Sequence, residues 1–208
     1  MKPALMAMLF VLLGSAAGLA SNTRWREYRV ADLGILLPTG NGWEVTEHES
    51  GEGRVAMRVQ RNVDGDPEYF YVIQVYFNQV PRIYHDWLPV EVATDYLLLE
   101  IDNMQVEGVD KGEFSLPELD VYEEQHGGFT LHVLRNVKDY IEPWTPTLEL
   151  EAQELYLVFP ENFSDTTTFY KIFISADCFF EGCTVDDLDL SEMTPLLDDL
   201  RDYSEASD

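Results

Sequence analysis

Basic residues are scarce: 13 Lys and Arg stand against 39 Asp and Glu, giving a formal charge of -26 over 208 residues. Nucleic acid is therefore not an expected partner, because phosphate binding draws its affinity from Lys and Arg that displace counterions. Attachment to anionic lipid is disfavoured on the same ground. Such a surface suits solubility, a basic partner or loosely held cations.

Histidine is also short, with four residues. The stretch His48-Glu49-Ser50-Gly51-Glu52 approaches a zinc-protease motif but has Glu52 where H-E-x-x-H needs its second imidazole, one helical turn from the first. His126 and His132 lie in or beside a hairpin and could face the same way, though without a third ligand. Neither a Gly-x-Ser-x-Gly elbow nor a phosphate-cradling glycine loop occurs. No catalytic residue, metal ligand or cofactor is expected, and the reading is of a protein that is not an enzyme.

Long apolar runs are missing after the first twenty residues. Residues 1–20 read MKPALMAMLFVLLGSAAGLA, with one charge at Lys2, an apolar run over 4–13 and small residues ending Gly18-Leu19-Ala20. That is the layout of a signal peptide cleaved before Ser21; the alternative is a retained anchor of nearly membrane-spanning length. A lipid anchor at the cleavage site needs a cysteine there, and none occurs before Cys178. The expected product is secreted or periplasmic, with no membrane contact after cleavage, and forms one domain over 21–208 with an acidic C-terminal tail.

Only two cysteines are present, Cys178 and Cys183, with Phe179-Phe180-Glu181-Gly182 between them. In an oxidising compartment such a pair is expected to form a disulfide, and the glycine suits a tight reversal. Closing so short a loop contributes about 2 kcal/mol, enough to hold a turn. A redox pair is usually spaced C-x-x-C among positive groups, whereas Asp177 and Glu181 flank this one. Two free buried thiols are the alternative.

Of the 208 residues, 46% are hydrophobic and 12% aromatic, enough for a core. Residues 33–37 read as an apolar strand ended by Pro38. The turn Thr39-Gly40-Asn41-Gly42 then predicts a hairpin to a strand opening at Trp43-Glu44-Val45. Val55, Met57 and Val59 alternate as in a half-buried strand. Over 69–80, Tyr71, Ile73, Val75 and Phe77 share one face while Gln74, Tyr76 and Asn78 share the other. Pro89 opens a helix with a stripe of Val90, Ala93, Leu97, Ile101 and Met104, closed by Gly108.

Strands follow over 119–124 and 129–136, joined at His126-Gly127-Gly128, and a second hairpin pairs 148–159 with 169–176. A last helix starts at Ser191 or Thr194 and carries Met193, Leu196, Leu197 and Leu200. Neighbouring strands with few helices give an α+β fold, a mainly antiparallel sheet packed by helices.

The opening Leu33-Gly34-Ile35-Leu36-Leu37-Pro38 with Gly42-Trp43-Glu44-Val45, a middle helix, paired long strands and a C-terminal helix resembles the PsbP-like superfamily. That resemblance implies an α/β/α sandwich, often exported, acting as an accessory or binding protein without catalytic residues. No functional residue carries over. A helix-grip domain with a ligand cavity is the alternative fold.

Four further features bear on binding. Asn62-Val63-Asp64-Gly65-Asp66-Pro67-Glu68 offers alternating oxygens, but its glycine is one place early for a calcium loop, so a turn is expected. Residues 177–208 hold eleven acids, with Arg201 as the sole base, and read as a solvated face that could hold Ca²⁺ weakly. Asn162-Phe163-Ser164 fits a glycosylation sequon. The aromatics Tyr69, Phe70, Tyr71, Tyr76, Phe77, Tyr140, Trp144 and Tyr156 read mainly as packing residues, with an open binding face as the alternative. The expected activity is non-catalytic binding of another protein or a small ligand; weak Ca²⁺ binding or an enzyme lacking a recognisable motif are the alternatives.

Overall fold

A computed structural model describes residues 23–40, 42–47, 55–62, 69–80, 86–144, 148–179, 183–188 and 190–203. The leader read at 1–20, the His48 stretch and most of the Asp64 loop lie outside them.

Strand β1 (Arg24–Val30) turns through Ala31 and Asp32 into β2 (Leu33–Thr39). The charged sequence RWREYRV hides β1 from pattern reading, since its half-buried side chains, Trp25 and Tyr28, do not alternate strictly. Its partner β2 buries Leu33, Ile35 and Leu37 completely or nearly so. Pro38 does not end β2 but sits inside it, opposite Trp25. The third strand of this small sheet pairs only at Gly34 and Leu33, so the far edge of β2 is open at Pro38 and no amide is needed there.

The expected hairpin between residues 33–37 and 43–45 does not form. Instead β2 pairs with β1, and β3 (Trp43–Glu47) joins a different sheet, leaving one bridge from Gly40 to Trp43. A turn signal is local, and β1 outcompetes it by offering seven cross-strand partners.

The main sheet adds β4 (Val55–Asn62), β5 (Tyr69–Gln79), β6 (Phe114–His126), β7 (Phe129–Trp144), β8 (Leu148–Val158) and β9 (Thr168–Cys178). It is antiparallel throughout, in the order β3-β4-β5-β9-β8-β7-β6. Gly127 and Gly128, both at positive φ, make the tight β6-β7 turn.

One face packs against β1-β2 and the C-terminal segment. Its residues include Ile73 and Val75 on β5, Tyr156 and Val158 on β8, and Ile172, Ile174 and Ala176 on β9. Leu196, Leu197 and Leu200 close this core from helix α3 (Thr194–Asp198) and the residues after it, before β10 (Arg201–Asp202) pairs with β2. The expected stripe of Met193, Leu196, Leu197 and Leu200 is buried as read.

Helix α1 (Pro89–Met104) crosses the opposite face. Pro89 occupies its first turn, where a missing amide costs nothing, and the Glu91 side chain accepts from the Leu88 amide at 2.7 Å. Ala93 and Leu97 are buried as expected and Ile101 and Met104 are half-buried, but Val90 is 45% exposed and Val92 takes its place in the core. The first turn lies at the margin of the packed face, so the stripe starts two residues later. A π-turn (Gln105–Val109) extends the helix, and Gly108 sits against Phe114 so closely that a Cβ would overlap the ring. The four-residue α2 (Phe163–Thr166) inserts Phe163 into the core beneath α1.

Candidate functional site

Register determines what α1 covers. On its face of the sheet, Leu134 of β7 lies opposite Leu155 of β8, both in the α1 core, and Leu155 lies opposite Phe173 of β9. One pleat further along the strands the chemistry changes. Asn136, Gln153 and Ser175 form a row across the same three strands, exposed by only 3%, 8% and 3%. The next row is Lys138, Glu151 and Asp177.

Glu151 organises this polar half. It accepts from Tyr140 at 2.8 Å and Lys138 at 3.2 Å, and from the Gln153 amide. Asp177 lies beside it in the cross-strand position, with one carboxylate oxygen lacking a partner among the described residues. Burial, reinforced by the Glu151 charge and opposed by Lys138 and a Ser175 hydrogen bond, pushes the Asp177 carboxyl up to about 7. Burial and Glu151 likewise push the Tyr140 phenol well above its ordinary range.

Between this row and α1 runs a groove of about 260 Å³. At its other end Lys171 of β9 donates to the Tyr96 hydroxyl at 3.1 Å and lies 4.3 Å from the Tyr76 ring centre. The Glu100 carboxylate is 3.9 Å away, beyond hydrogen-bond reach. Tyr76 donates to Gln74 at 2.7 Å, and burial followed by Glu100 pushes the Tyr96 phenol up to about 12. The floor between the lysines carries Leu155 and Phe173, and Asn136 Oδ1 has no hydrogen-bond partner among the described residues. A buried acceptor of this kind costs about 1–3 kcal/mol when left unmade. The groove thus combines half-buried ammonium groups, amides and an apolar floor, the composition of a binding site for a small molecule.

The residues singled out by sequence fall elsewhere. His126 and His132 do not face the same way: the two-residue turn sets His126 opposite Phe129, so it shares the face of Leu131, and His132 points to the other. His126 lies 2.7 Å from Asp198 and 3.2 Å from Glu124, while His132 lies 3.0 Å from Glu123. Among the described residues no group of three His, Cys, Asp or Glu is arranged to hold a metal. Three of the C-terminal acids are engaged within the chain, Asp198 with His126, Asp199 with Arg201 at 2.9 Å and Asp202 with the Glu161 amide at 3.0 Å. Cys178 and Cys183 stand at disulfide distance with Cα atoms 6.5 Å apart. The aromatics divide between faces, with Tyr71, Phe77 and Tyr156 in the larger core and Tyr76 in the groove.

No family profile and no curated protein matches the chain. A solved structure does: the cyanobacterial PsbP (CyanoP) of Synechocystis sp. PCC 6803 superposes with a TM-score of 0.51 at 14% identity, covering 92% of this chain and 99% of that one. The fold is PsbP-like. LpqN of Mycobacterium tuberculosis, described as involved in cell envelope biogenesis, is a more distant likeness, with a TM-score of 0.42 at 15% identity over 85% of this chain and 88% of that one. The groove residues Asn136, Gln153 and Lys171 were not legible as a site, since Asn136 and Gln153 sit beside the charged Arg135 and Glu154 and Lys171 stands alone in an apolar stretch. Only the register shows that Asn136 and Gln153 share a row with Ser175, two rows from Lys171.

Proposed function

We propose that the chain is an exported, non-catalytic accessory protein of one domain over 21–208, which holds a small ligand in the groove beside α1 and acts with a protein partner. The observation that carries this reading is the buried polar row Asn136-Gln153-Ser175, which packing alone does not require. On the opposite face the same strands bury Ala152, Ile174 and Val137. A sheet can be filled by such residues throughout, so polar groups kept at this depth favour a ligand that satisfies them. Export is supported by the leader pattern and by the Cys178-Cys183 geometry, which suits a disulfide.

Native mass spectrometry of the protein purified from its own host tests both parts. The expected product starts at Ser21, lacks free thiols and carries a small-molecule adduct that an Asn136→Leu variant loses. An adduct of equal occupancy in both proteins, or turnover of a bound compound into a second species, contradicts the reading.

A further inference from the structure

We infer that the groove recognises a small organic carboxylate, and that its apolar body carries a hydrogen-bond donor. This rests on the reading of the groove as a ligand site and goes on to name the ligand's chemistry. Charge is the first argument. The groove lining brings together Lys138, Lys171 and Glu100, with Glu151 paired to Lys138 beside it, so the two lysines bring it close to neutral in a strongly acidic chain. Three other grooves among the described residues are more acidic: Glu161 and Asp202 line one, Asp95 another, and Glu124 and Glu154 outnumber Arg135 in a third.

Hydrogen-bonding capacity is the second argument. An ammonium has three donors; Lys171 places one on the neutral Tyr96 hydroxyl, with Glu100 too far to take another. Its two remaining donors suit a carboxylate. Lys138 donates to Glu151 at 3.2 Å, whereas Lys171 faces Glu100 across 3.9 Å without a hydrogen bond, so the anionic end of the ligand belongs at Lys171. The third argument concerns the far end. Asn136 is four residues along β7 from His132, whose row contains Leu157 and Lys171. A strand rise of about 3.3 Å per residue separates the two rows by about 13 Å, part of which the lysine arm spans. Between them lie Leu155 and Phe173, and at the end the unpartnered Oδ1 of Asn136, an acceptor awaiting a donor. The surrounding acidic surface repels polyanions, which limits the ligand to low charge.

Isothermal titration of the protein purified from its host, freed of adduct by dialysis, tests this with 4-hydroxyphenylacetate, phenylacetate and the neutral 4-hydroxyphenethyl alcohol. The first is expected to bind most tightly. Loss of the carboxylate weakens binding at least about tenfold, as loss of a charge-assisted contact does; loss of the phenol weakens it about fivefold. Lys171→Met matches the loss seen with the alcohol, and Asn136→Leu affects 4-hydroxyphenylacetate but not phenylacetate. Lys111→Met, at an exposed lysine outside the groove, leaves affinity unchanged, and circular dichroism verifies that each variant is folded. Equal binding of acid and alcohol, or a Lys171→Met variant of full affinity, overturns the carboxylate assignment while leaving the groove as a site. No binding by any probe also overturns it, and the adduct seen by mass spectrometry then decides the groove reading by itself.

Discussion

The two faces of the main sheet are built from the same strands and differ in what they bury. Against β1-β2 and α3, successive inward residues of β9 are Tyr170, Ile172, Ile174, Ala176 and Cys178, all at most 1% exposed. Beneath and beside α1, the intervening residues are Phe169, Lys171, Phe173, Ser175 and Asp177, which become polar as the strand leaves the helix. The first face is mainly a packing surface, with polar groups towards its ends, such as Arg135 lying 3.8 Å from Glu154 on the β6 side and Arg61 beside Trp43 on the other. The second has the same depth at Ser175 and Asn136 without the same material. Burial therefore does not identify the core by itself; what is buried separates a face filled for packing from one that keeps polar groups packing does not require.

Three substitutions, two on β9 and one at the partner of its last cysteine, sharpen that contrast. The largest effect is expected at the packing face: Ile174→Ala removes a side chain 1% exposed and should cost about 2–5 kcal/mol in urea unfolding. A cost under 1 kcal/mol would mean that this face is not the main core. Next comes Cys183→Ser, which releases the short loop at the end of β9 and is expected to cost about 2 kcal/mol by chain entropy. Dithiothreitol should lower the wild-type melting temperature to that of the variant and leave the variant unmoved.

The third test uses Asp177, whose carboxyl is pushed up to about 7 from an ordinary value of 3.8. Between those pH values the folded chain holds a proton that the unfolded chain has released, so rising pH destabilises the fold through this group, by at most about 1.4 kcal/mol per pH unit. Its contribution is fully present below pH 4 and gone above pH 7. The stability difference between wild type and Asp177→Asn should therefore slope downward with pH over that window and flatten above it. A flat difference throughout would show that Asp177 is solvated and that the polar half is open to water.

The β5 faces were readable in advance because a half-buried strand repeats every two residues, and Tyr71, Ile73, Val75 and Phe77 obey that period. The α1 helix was equally legible from its three-and-four spacing, apart from the displaced Val90. The partners of β2 were not, because Asn41-Gly42 advertises a local hairpin while β1, rich in arginine, conceals a strand that pairs from the other side. The groove was invisible for a related reason. Alternation marks Asn136, Gln153 and Ser175 as the outward face of their strands, and nothing in those strands says that the outward face lies beside a helix and is closed off from water.

The most direct measurement is the urea unfolding free energy of Asn136→Leu in the absence of ligand. If Asn136 is kept for a ligand, replacing its carboxamide, whose oxygen has no partner among the described residues, with the isopropyl group of leucine leaves stability unchanged or raises it by up to about 1 kcal/mol. A loss of 2 kcal/mol or more, of the size expected for Ile174→Ala, would show that the polar row is structural and would contradict the account.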